Sequence, residues 1–524
     1  MNVPLTPLRF KDRALSLYAN KPGVICGQIR LTYAEFFNRC DRLARVLQRL
    51  EVPPGGRVAY MAFNCHRLLE AYYGVVQAGA VLLPLNLRLS KDELVFILKD
   101  SGSQVLFFDS DFSPLVVAIR PHLKNVKHFI PLDTVEVAGF NDCAPYERLL
   151  QEAGSGAVQP VELDENSVAE IFYTSGTTAG PKGVMLTHRN LYLHALSSII
   201  ALGIRDTDVQ LHAIPLFHVN GWGAPQSLTC VGGTHVMMRR FDALAALQLI
   251  QQERITYTCL VPTMAHFLLN HPDLSTYDYS ALRMVLIGGA APNPDMIARI
   301  EAAFGCTCYG GYGLTETSPI LTIAVPKGTV HNGNERERIR RQSMTGWPLV
   351  GVDVRIVDET GNDLPRDGRH VGELIARSDG VMMGYWNNPE QTANAIRDGW
   401  LFTGDMATMD EEGFVQIVDR KKDLIVSGGE NIASIEVETC LYRHEAVFEC
   451  AVIAVQDEKW GEVPAAFVVL KPGCAATESE LIEFCRASLA PYKCPKSVRF
   501  LEMLPKGGTG KVLKRVLRDE ISRQ

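Results

Sequence analysis

Several features that mark other classes of protein are missing from this sequence. No run approaches about 18 apolar residues, the length that crosses a bilayer as a helix. The first residues lack the apolar core of a signal peptide, and the last four carry no retention or peroxisomal tripeptide. The 13 cysteines include no C-x-x-C pair, so we expect neither a zinc site nor a disulfide scaffold. By elimination we expect a cytoplasmic protein without a transmembrane segment.

An excess of basic residues is missing as well. The chain has 52 Lys and Arg against 59 Asp and Glu, a net charge of −7. Because a phosphate backbone demands a basic face, we expect no nucleic-acid partner, although a local pocket for one small anion stays open. At 524 residues, 47% of them hydrophobic, the chain is an ordinary globular protein too long for one core. Two or more domains are therefore expected.

Segments with helical and strand periodicity alternate in the first half. Apolar residues recur at helical spacing from Phe36 to Leu50. Strands are predicted at residues 57–63, 81–83, 105–108, 282–287 and 306–309, and further helices at 66–78 and 292–304. Strand, helix and strand in this rhythm indicate an α/β fold, with mainly parallel sheets covered by helices.

The pattern of predicted elements changes beyond about residue 350, where short predicted strands separated by Gly and Asp turns predominate. The last hundred residues then predict helices at 435–442 and 478–489 and strands at 449–455 and 465–470. That is the size of a small α+β domain. We expect a large domain with a β-rich subdomain over residues 1–419 and a small mobile C-terminal domain over residues 420–524.

A glycine-rich loop follows the apolar strand-like run 168–172. Residues 173–183 read Y-T-S-G-T-T-A-G-P-K-G. Glycines allow backbone N–H groups to approach an anion, the hydroxyl groups add donors, and Lys182 adds a cation, so the loop predicts a polyphosphate cradle. It is not a Walker A loop, because Pro181 and Gly183 replace residues that such a loop requires.

A second turn, residues 310–317, reads G-G-Y-G-L-T-E-T. It presents three kinds of side chain together. Tyr312 can stack on a base, Thr315 can donate to phosphate, and Glu316 can ligate Mg²⁺, a hard cation that prefers oxygen. The small residues of G-G-A-A-P at 288–292 would admit a flat adenine ring.

These motifs together resemble the adenylate-forming superfamily: acyl-CoA synthetases, aryl-CoA ligases, firefly-type luciferases and peptide-synthetase adenylation domains. L-F-T-G-D at 401–405, D-R-K-K-D at 419–423 and P-K-G-G-T-G-K at 505–511 continue the family order. Ala179 departs from the family, which usually has glycine there, but Gly180 follows and we expect activity to survive.

The resemblance implies a role for each matching residue. It implies ATP binding by Thr174, Ser175, Gly176, Thr177, Thr178, Lys182, Gly289, Ala290, Ala291, Gly311, Tyr312, Thr315, Asp405, Arg420 and Lys511. The implied catalytic residues are Lys511, Glu316, Thr177 and His218, with Glu316 as the Mg²⁺ ligand. Coenzyme A would contact Gly428, Gly429 and Trp460, and Lys422 would be the domain hinge. An acyl pocket would be lined by His218, Trp222, Val261, Gly288, Gly313 and Leu314.

The segment L-F-H-V-N-G-W at 216–222 narrows the substrate. His218 stands where peptide-synthetase domains have an aspartate, so amino acid activation is not expected. The string resembles bacterial fatty acyl-CoA synthetases, which makes Trp222 either a tunnel gate or a core aromatic. No Lys or Arg lies in the segment to pair a second carboxylate. We therefore expect an AMP-forming acyl-CoA synthetase for a fatty or related monocarboxylic acid, using ATP, Mg²⁺ and coenzyme A.

Alternatives remain at this point. An aryl-CoA ligase of the coumarate or benzoate type and a ligase for a short thioether acid use the same motifs. A catalytically silent binding protein and a nucleotide kinase or P-loop ATPase belong to other classes. Acyl chain length and a homodimer are left open. The charged run E-R-E-R-I-R-R at 335–341 is interpreted as an exposed loop, in preference to a subunit contact or a cofactor-phosphate contact.

Overall fold

The computed structural model describes residues 3–133, 140, 144–174, 180–329, 333–428, 430–506 and 512–522. The chain divides into two units, Met1–Asp353 with Ala376–Leu401 and Val354–Ile375 with Phe402–Gln524. The first unit contains mainly parallel sheets and most of the helices, and the second contains β-rich and small α+β portions. The predicted fold class is confirmed. The predicted domain division between residues 419 and 420 stays a prediction.

One sheet of the first unit has a parallel centre closed by antiparallel edge strands. In sheet order its nine strands are Trp347–Pro348, Ile320–Ile323, Thr307–Gly313, Met284–Ile287, Tyr257–Leu260, Val209–His212, Thr234–Met237, Pro22–Cys26 and Ile29–Thr32. The strands from Thr307–Gly313 to Pro22–Cys26 pair in parallel. Parallel neighbours need crossover connections, which the intervening helices supply.

The other sheet of the first unit carries the strand that precedes the glycine-rich loop. In sheet order its seven strands are Gly384–Tyr385, Lys182–Thr187, Val168–Thr174, Val81–Pro84, Arg57–Met61, Val105–Phe108 and His128–Pro131. The last five are parallel. Every residue of Val81–Pro84 and Val105–Phe108 is buried, as expected of parallel strands covered on both faces.

The helices of the first unit range from largely apolar to highly charged. They are Leu8–Tyr18, Tyr33–Arg49, His66–Gln77, Lys91–Asp100, Ser113–Ile119, Tyr146–Ala153, His188–Leu202, Val219–Val231, Ala243–Gln252, Pro262–Leu269, Pro294–Phe304, Glu335–Gln342 and Pro389–Ala395. Tyr33–Arg49 starts at a capping box between Thr32 and Glu35, and its apolar stripe is buried. No helix within the described residues is both long enough and apolar enough to span a bilayer.

The second unit has its own core. Its β-rich portion uses the strands Val352–Val357, Gly372–Ser378, Trp400–Met409 and Val415–Arg420, the first three of which extend beyond the unit boundary. A further sheet contains Glu430–Ile432, Ile425–Ser427, Gly461–Leu470, Val447–Asp457 and Ser497–Phe500, with the helices Ser434–Leu441, Glu478–Arg486 and Lys514–Ser522. Val437, Val452 and Val468 are buried between these elements.

The charged run 335–341 is a helix, so its interpretation as an exposed loop was wrong. Asn334 caps the helix Glu335–Gln342 by accepting from the Glu337 N–H at 3.0 Å. Glu337 pairs with Arg340 at 2.7 Å and with Arg341 at 3.0 Å. Opposite charges three and four residues apart stabilise a helix even where few of its residues are apolar.

Candidate active site

The glycine-rich loop joins two antiparallel strands. Val168–Thr174 pairs with Lys182–Thr187, and Thr174 lies directly opposite Lys182. Gly180 has φ +91°, in the region that favours glycine. The predicted phosphate contacts Ser175, Gly176, Thr177 and Thr178 lie outside the described residues. The structure therefore places both ends of the predicted cradle, and these ends present one hydroxyl and one ammonium group side by side.

Lys182 and Glu316 are 134 positions apart and meet through one tyrosine. Lys182 Nζ lies 5.1 Å from the centre of the Tyr385 ring. The Tyr385 hydroxyl donates to Glu316 Oε1 at 2.9 Å. Burial, and next the Glu316 carboxylate, raise the pKa of Tyr385 well above its usual value, so this hydroxyl stays protonated and donates. The cation of the loop and the predicted metal ligand thus belong to one assembly.

Two residues of this assembly were missed by the sequence analysis. Tyr385 lies on the short strand Gly384–Tyr385, which pairs with Lys182–Thr187 at the edge of the seven-stranded sheet. Gln391, in the helix Pro389–Ala395, accepts from Lys182 Nζ at 2.7 Å. Neither belongs to a glycine-rich motif or to a charged cluster, so no local signal marked them.

The remaining motifs of the first unit follow the carboxyl ends of neighbouring parallel strands. Val261 follows Tyr257–Leu260, and Gly288 to Ala291 follow Met284–Ile287. The next strand is Thr307–Gly313, which contains Gly311 and Tyr312. Because parallel strands end at the same edge of a sheet, the topology brings these residues together, and such an edge is where α/β folds bind ligands.

The turn at 313–319 has a backbone that a larger residue would disrupt. A Cβ on Gly313 would lie 1.8 Å from the Pro319 carbonyl oxygen. Leu314 N–H donates to that same oxygen at 3.1 Å. The turn Thr315–Thr317 follows, in which Thr315 is buried and Glu316 is half-buried. The close packing fixes the backbone that presents Glu316.

Trp222 lies against the predicted acyl pocket. A Cβ on Gly288 would lie 2.9 Å from the Trp222 ring, and one on Gly289 would lie 3.2 Å from Val261. The glycines therefore leave a space that the indole ring borders. Gly289, Ala290 and Ala291 are exposed, whereas Gly288 is buried. The structure thus brings together Trp222, Val261 and the glycines that were predicted to line the acid and adenine sites.

The segment that carries Trp222 has an unusual backbone. Val219, Asn220, Gly221, Trp222 and Gly223 all have φ between +39° and +81°. For non-glycine residues the left-handed region costs roughly 1–2 kcal/mol each, and such strain gathers at functional sites. Half-buried His218 immediately precedes this run.

In the second unit, the predicted ribose contacts form an ion pair. Asp405 lies opposite Arg420 on adjacent antiparallel strands, and Arg420 Nε lies 2.8 Å from Asp405 Oδ1. Asp405 is 3% exposed, so the cation supports a buried carboxylate. Partial burial lowers the pKa of Lys422, the predicted hinge, although nearby Asp423 acts in the opposite direction.

The two predicted coenzyme A segments of the second unit adjoin each other. Gly428 N–H donates to the Trp460 carbonyl at 2.8 Å, and a Cβ on Gly428, at φ +59°, would lie 2.8 Å from the Trp460 ring. The ring remains 45% exposed, with Lys459 Nζ 4.9 Å from its centre. An exposed indole offers an apolar face and a ring N–H donor to a ligand. Gly429 and Lys511 lie outside the described residues.

A resident metal site does not emerge from the residues that the structure places. Among them, no group of three or more His, Cys, Asp or Glu side chains is arranged to hold a metal ion. Glu316, with a single carboxylate, fits the way Mg²⁺ is held when substrate phosphates supply further oxygens.

Family models, curated relatives and solved structures all match this chain over most of its length. A family model described as AMP-binding enzyme matches residues 11–386, and another described as AMP-binding enzyme C-terminal domain matches residues 436–511. The long-chain-fatty-acid–CoA ligase of Thermus thermophilus is 39% identical, covering 98% of this chain and 94% of the relative. The peroxisomal butyrate–CoA ligase of Arabidopsis thaliana is 37% identical, covering 99% and 93%. An anthranilate–CoA ligase in complex with anthranoyl-AMP matches with a TM-score of 0.89 at 26% identity, covering 99% of this chain and 98% of that one.

The chain therefore belongs to the AMP-binding enzyme family, and the resemblance predicted from its motifs is confirmed. Its relatives are acyl- and aryl-CoA ligases, so its enzyme class is that of the acid–thiol ligases. Adenylate-forming CoA ligases use ATP and coenzyme A, as the sequence motifs predicted.

Proposed function

We propose that this chain is an AMP-forming acyl-CoA synthetase that activates a fatty or related monocarboxylic acid. The observation that carries the proposal is the assembly of Lys182, Tyr385 and Glu316 within the unit where Trp222 borders Gly288. A phosphate-binding cation and a carboxylate for Mg²⁺ would serve ATP. The segment that carries Trp222, in the same unit, would hold the acid.

In the first half-reaction, the acid carboxylate attacks the α-phosphorus of ATP and pyrophosphate leaves. Thr174 and Lys182, with Ser175 to Thr178, would hold the β- and γ-phosphates and offset charge on the leaving group. Tyr312 and residues 289–291 would hold adenine, Thr315 the α-phosphate, and Asp405 and Arg420 the ribose. Mg²⁺ bound by Glu316 would stabilise negative charge on the phosphate oxygens.

In the second half-reaction, the thiol of coenzyme A attacks the acyl-adenylate and AMP leaves. Gly428, Gly429 and Trp460 are the proposed coenzyme A contacts, supported by the packing of Gly428 on the exposed Trp460 ring. Lys511 would act in adenylation only. Rotation of the small C-terminal domain about Lys422 would then switch the enzyme from adenylation to thioester formation.

The acid is proposed to carry one carboxylate and an apolar body. Support comes from Trp222, Val261 and the buried Gly288, together with the lack of Lys or Arg in residues 216–222. The likeness to a long-chain-fatty-acid–CoA ligase favours an aliphatic acid. The likeness to an anthranilate–CoA ligase keeps an aryl acid as the second candidate. A 36% identical 3-methylmercaptopropionyl-CoA ligase keeps a short thioether acid as the third.

The decisive experiment is a screen of carboxylic acids with Mg·ATP and coenzyme A. It would include straight-chain acids from acetate to palmitate, benzoate, anthranilate and 3-methylthiopropionate, with nucleotide products separated by chromatography. We expect AMP and pyrophosphate only when an accepted acid is present. Formation of ADP, or no AMP with any acid, would refute the proposal. A preference for benzoate or anthranilate would select the aryl alternative.

We also propose a cytoplasmic location and leave a homodimer as a hypothesis. The cysteines within the described ranges are unpaired, as expected in a reducing compartment. Fractionation of the source cells would test the location, and sedimentation of the purified protein would test the dimer.

A further inference from the structure

Glu170 is a buried carboxyl group that the proposed reaction does not use. It lies on the strand Val168–Thr174, four residues before the loop end Thr174, and is 0% exposed. Its partners across the sheet are Leu82 and Leu186. A carboxyl group in such apolar surroundings destabilises the fold unless other groups satisfy it.

Two amide side chains satisfy this carboxyl group, one in the left-handed run that carries Trp222 and one three residues after that run. Gln226 Nε2 donates to Glu170 Oε1 at 2.8 Å, and Asn220 Nδ2 donates to Glu170 Oε2 at 3.3 Å. Both amides are 1% exposed. Burial raises the pKa of Glu170 to about 8, although both hydrogen bonds act in the opposite direction. Burial raises the pKa of Tyr72 on the neighbouring helix, so its hydroxyl stays protonated and donates to the Leu216 carbonyl at 2.6 Å.

Asn220 connects Glu170 to the backbone of the left-handed run. Its Oδ1 accepts from Gly223 N–H at 2.6 Å, which closes the backbone around Trp222. Asn220 thus uses one amide atom to hold the strained turn and the other to reach Glu170. The strand that leads to the phosphate loop and the turn that places Trp222 are linked by consecutive hydrogen bonds.

We propose that Glu170 is a positioning residue for the acyl pocket. Through Asn220 and Gln226 it holds the left-handed turn, and the turn holds the Trp222 ring against Gly288. Glu170 thereby sets which acids fit. The inference rests on the proposed function for its substrate, but the hydrogen-bonded link itself is independent of any acid.

The test compares Glu170→Gln, which keeps the shape and a hydrogen-bond acceptor, with Glu170→Leu, which removes all hydrogen bonding. Tyr73→Phe is the matched control, because it removes a different buried hydrogen bond to the same segment, from the Tyr73 hydroxyl to the Pro225 carbonyl at 2.7 Å. AMP release would be measured with straight-chain acids from acetate to dodecanoate at saturating ATP, together with the KM for ATP.

We expect Glu170→Leu to raise the KM for the preferred acid by about tenfold or more and to flatten the chain-length preference, because two buried amides lose their acceptor. The KM for ATP should change by less than about twofold. Glu170→Gln and Tyr73→Phe should stay within about threefold of the parent for both substrates.

A second readout needs no substrate. Acrylamide quenching of Trp222, taken as the difference between each protein and its Trp222→Phe derivative, should rise in Glu170→Leu and remain at the parent value in Glu170→Gln. If Glu170→Leu fails to fold by circular dichroism, Gln226→Leu provides the same comparison.

The proposal is overturned if the leucine variant keeps the parental acid preference and quenching, or if the KM values for acid and ATP rise together. If the parent protein releases no AMP with any acid, the proposed function fails, but the quenching comparison still decides the role of Glu170.

Discussion

At the residue scale, Glu316 and Tyr385 share one hydrogen bond. Single substitutions can therefore separate the proposed metal ligand from the residue that supports it. Glu316→Gln should raise the Mg²⁺ concentration needed for half-maximal AMP release, because a neutral amide is a poorer ligand for a hard cation. Tyr385→Phe removes only the supporting hydroxyl. It should raise the Mg²⁺ concentration for half-maximal AMP release by roughly tenfold, the lower range for a residue that supports a metal ligand. The measurement is a Mg²⁺ titration at fixed ATP.

Glu337→Gln, in the helix Glu335–Gln342, is the control for loss of a carboxylate that pairs with arginine. An unchanged titration in Glu316→Gln would remove Glu316 from the proposed ligands. An effect of Tyr385→Phe larger than that of Glu316→Gln would instead assign the tyrosine a direct role.

Trp222 gives a second prediction at this scale. Because its ring borders the space beside Gly288, Trp222→Ala should enlarge the proposed acyl pocket. The preference should shift toward longer or bulkier acids, by roughly tenfold in relative kcat/KM. Trp400→Ala is the control, since the Trp400 ring lies 4.6 Å from the Arg377 guanidinium in another part of the unit. A parental acid profile for Trp222→Ala would reduce Trp222 to a packing role.

At the element scale, the left-handed run at 219–223 depends on Gly223. Gly223→Ala would place a Cβ 2.7 Å from the ring of His194 while φ stays at +81°. Gly203→Ala has a similar φ of +57° but meets no atom within 4 Å, so it isolates the backbone cost. We expect Gly223→Ala to destabilise the unit by about 1–3 kcal/mol more than Gly203→Ala.

Urea denaturation of the full chain, followed by circular dichroism, would measure this difference as a shift in midpoint. Equal midpoints for the two variants would mean that the backbone rearranges freely at Gly223. The run would then not be the rigid support for Trp222 that the inference requires.

The helix Glu335–Gln342 shows where local sequence was misread at this scale. The run E-R-E-R-I-R-R contains six charged residues and one isoleucine, so it has no apolar periodicity that would indicate a helix. A helix is favoured instead by Asn334, which can cap its start, and by Glu337, which lies three and four residues before Arg340 and Arg341.

At the scale of the whole molecule, the two half-reactions are proposed to need different residues. Lys511→Ala should slow acyl-adenylate formation by roughly 100-fold or more, the range for loss of one preorganised positive or hydrogen-bonding group. Thioester formation from synthetic acyl-adenylate and coenzyme A should stay near the parental rate. Rapid-quench assays of each half-reaction would measure both.

Lys506→Ala is the control for this prediction, because Lys506 lies in the same Pro-Lys-Gly stretch and pairs with Glu449 at 2.5 Å. Equal loss in both half-reactions of Lys511→Ala would contradict the assignment of Lys511 to adenylation.

The motifs and their order were determined by the sequence alone, and with them the family and the parallel sheets, because glycine spacing and apolar runs are local properties of the chain. Only the tertiary structure placed Tyr385 on Glu316, 69 residues away, and Gln391 on Lys182, 209 residues away. It also placed the Glu170 carboxyl group within hydrogen-bonding distance of the Asn220 and Gln226 amides. Such contacts depend on which strands become neighbours and which helices pack on them, and no local pattern encodes that choice.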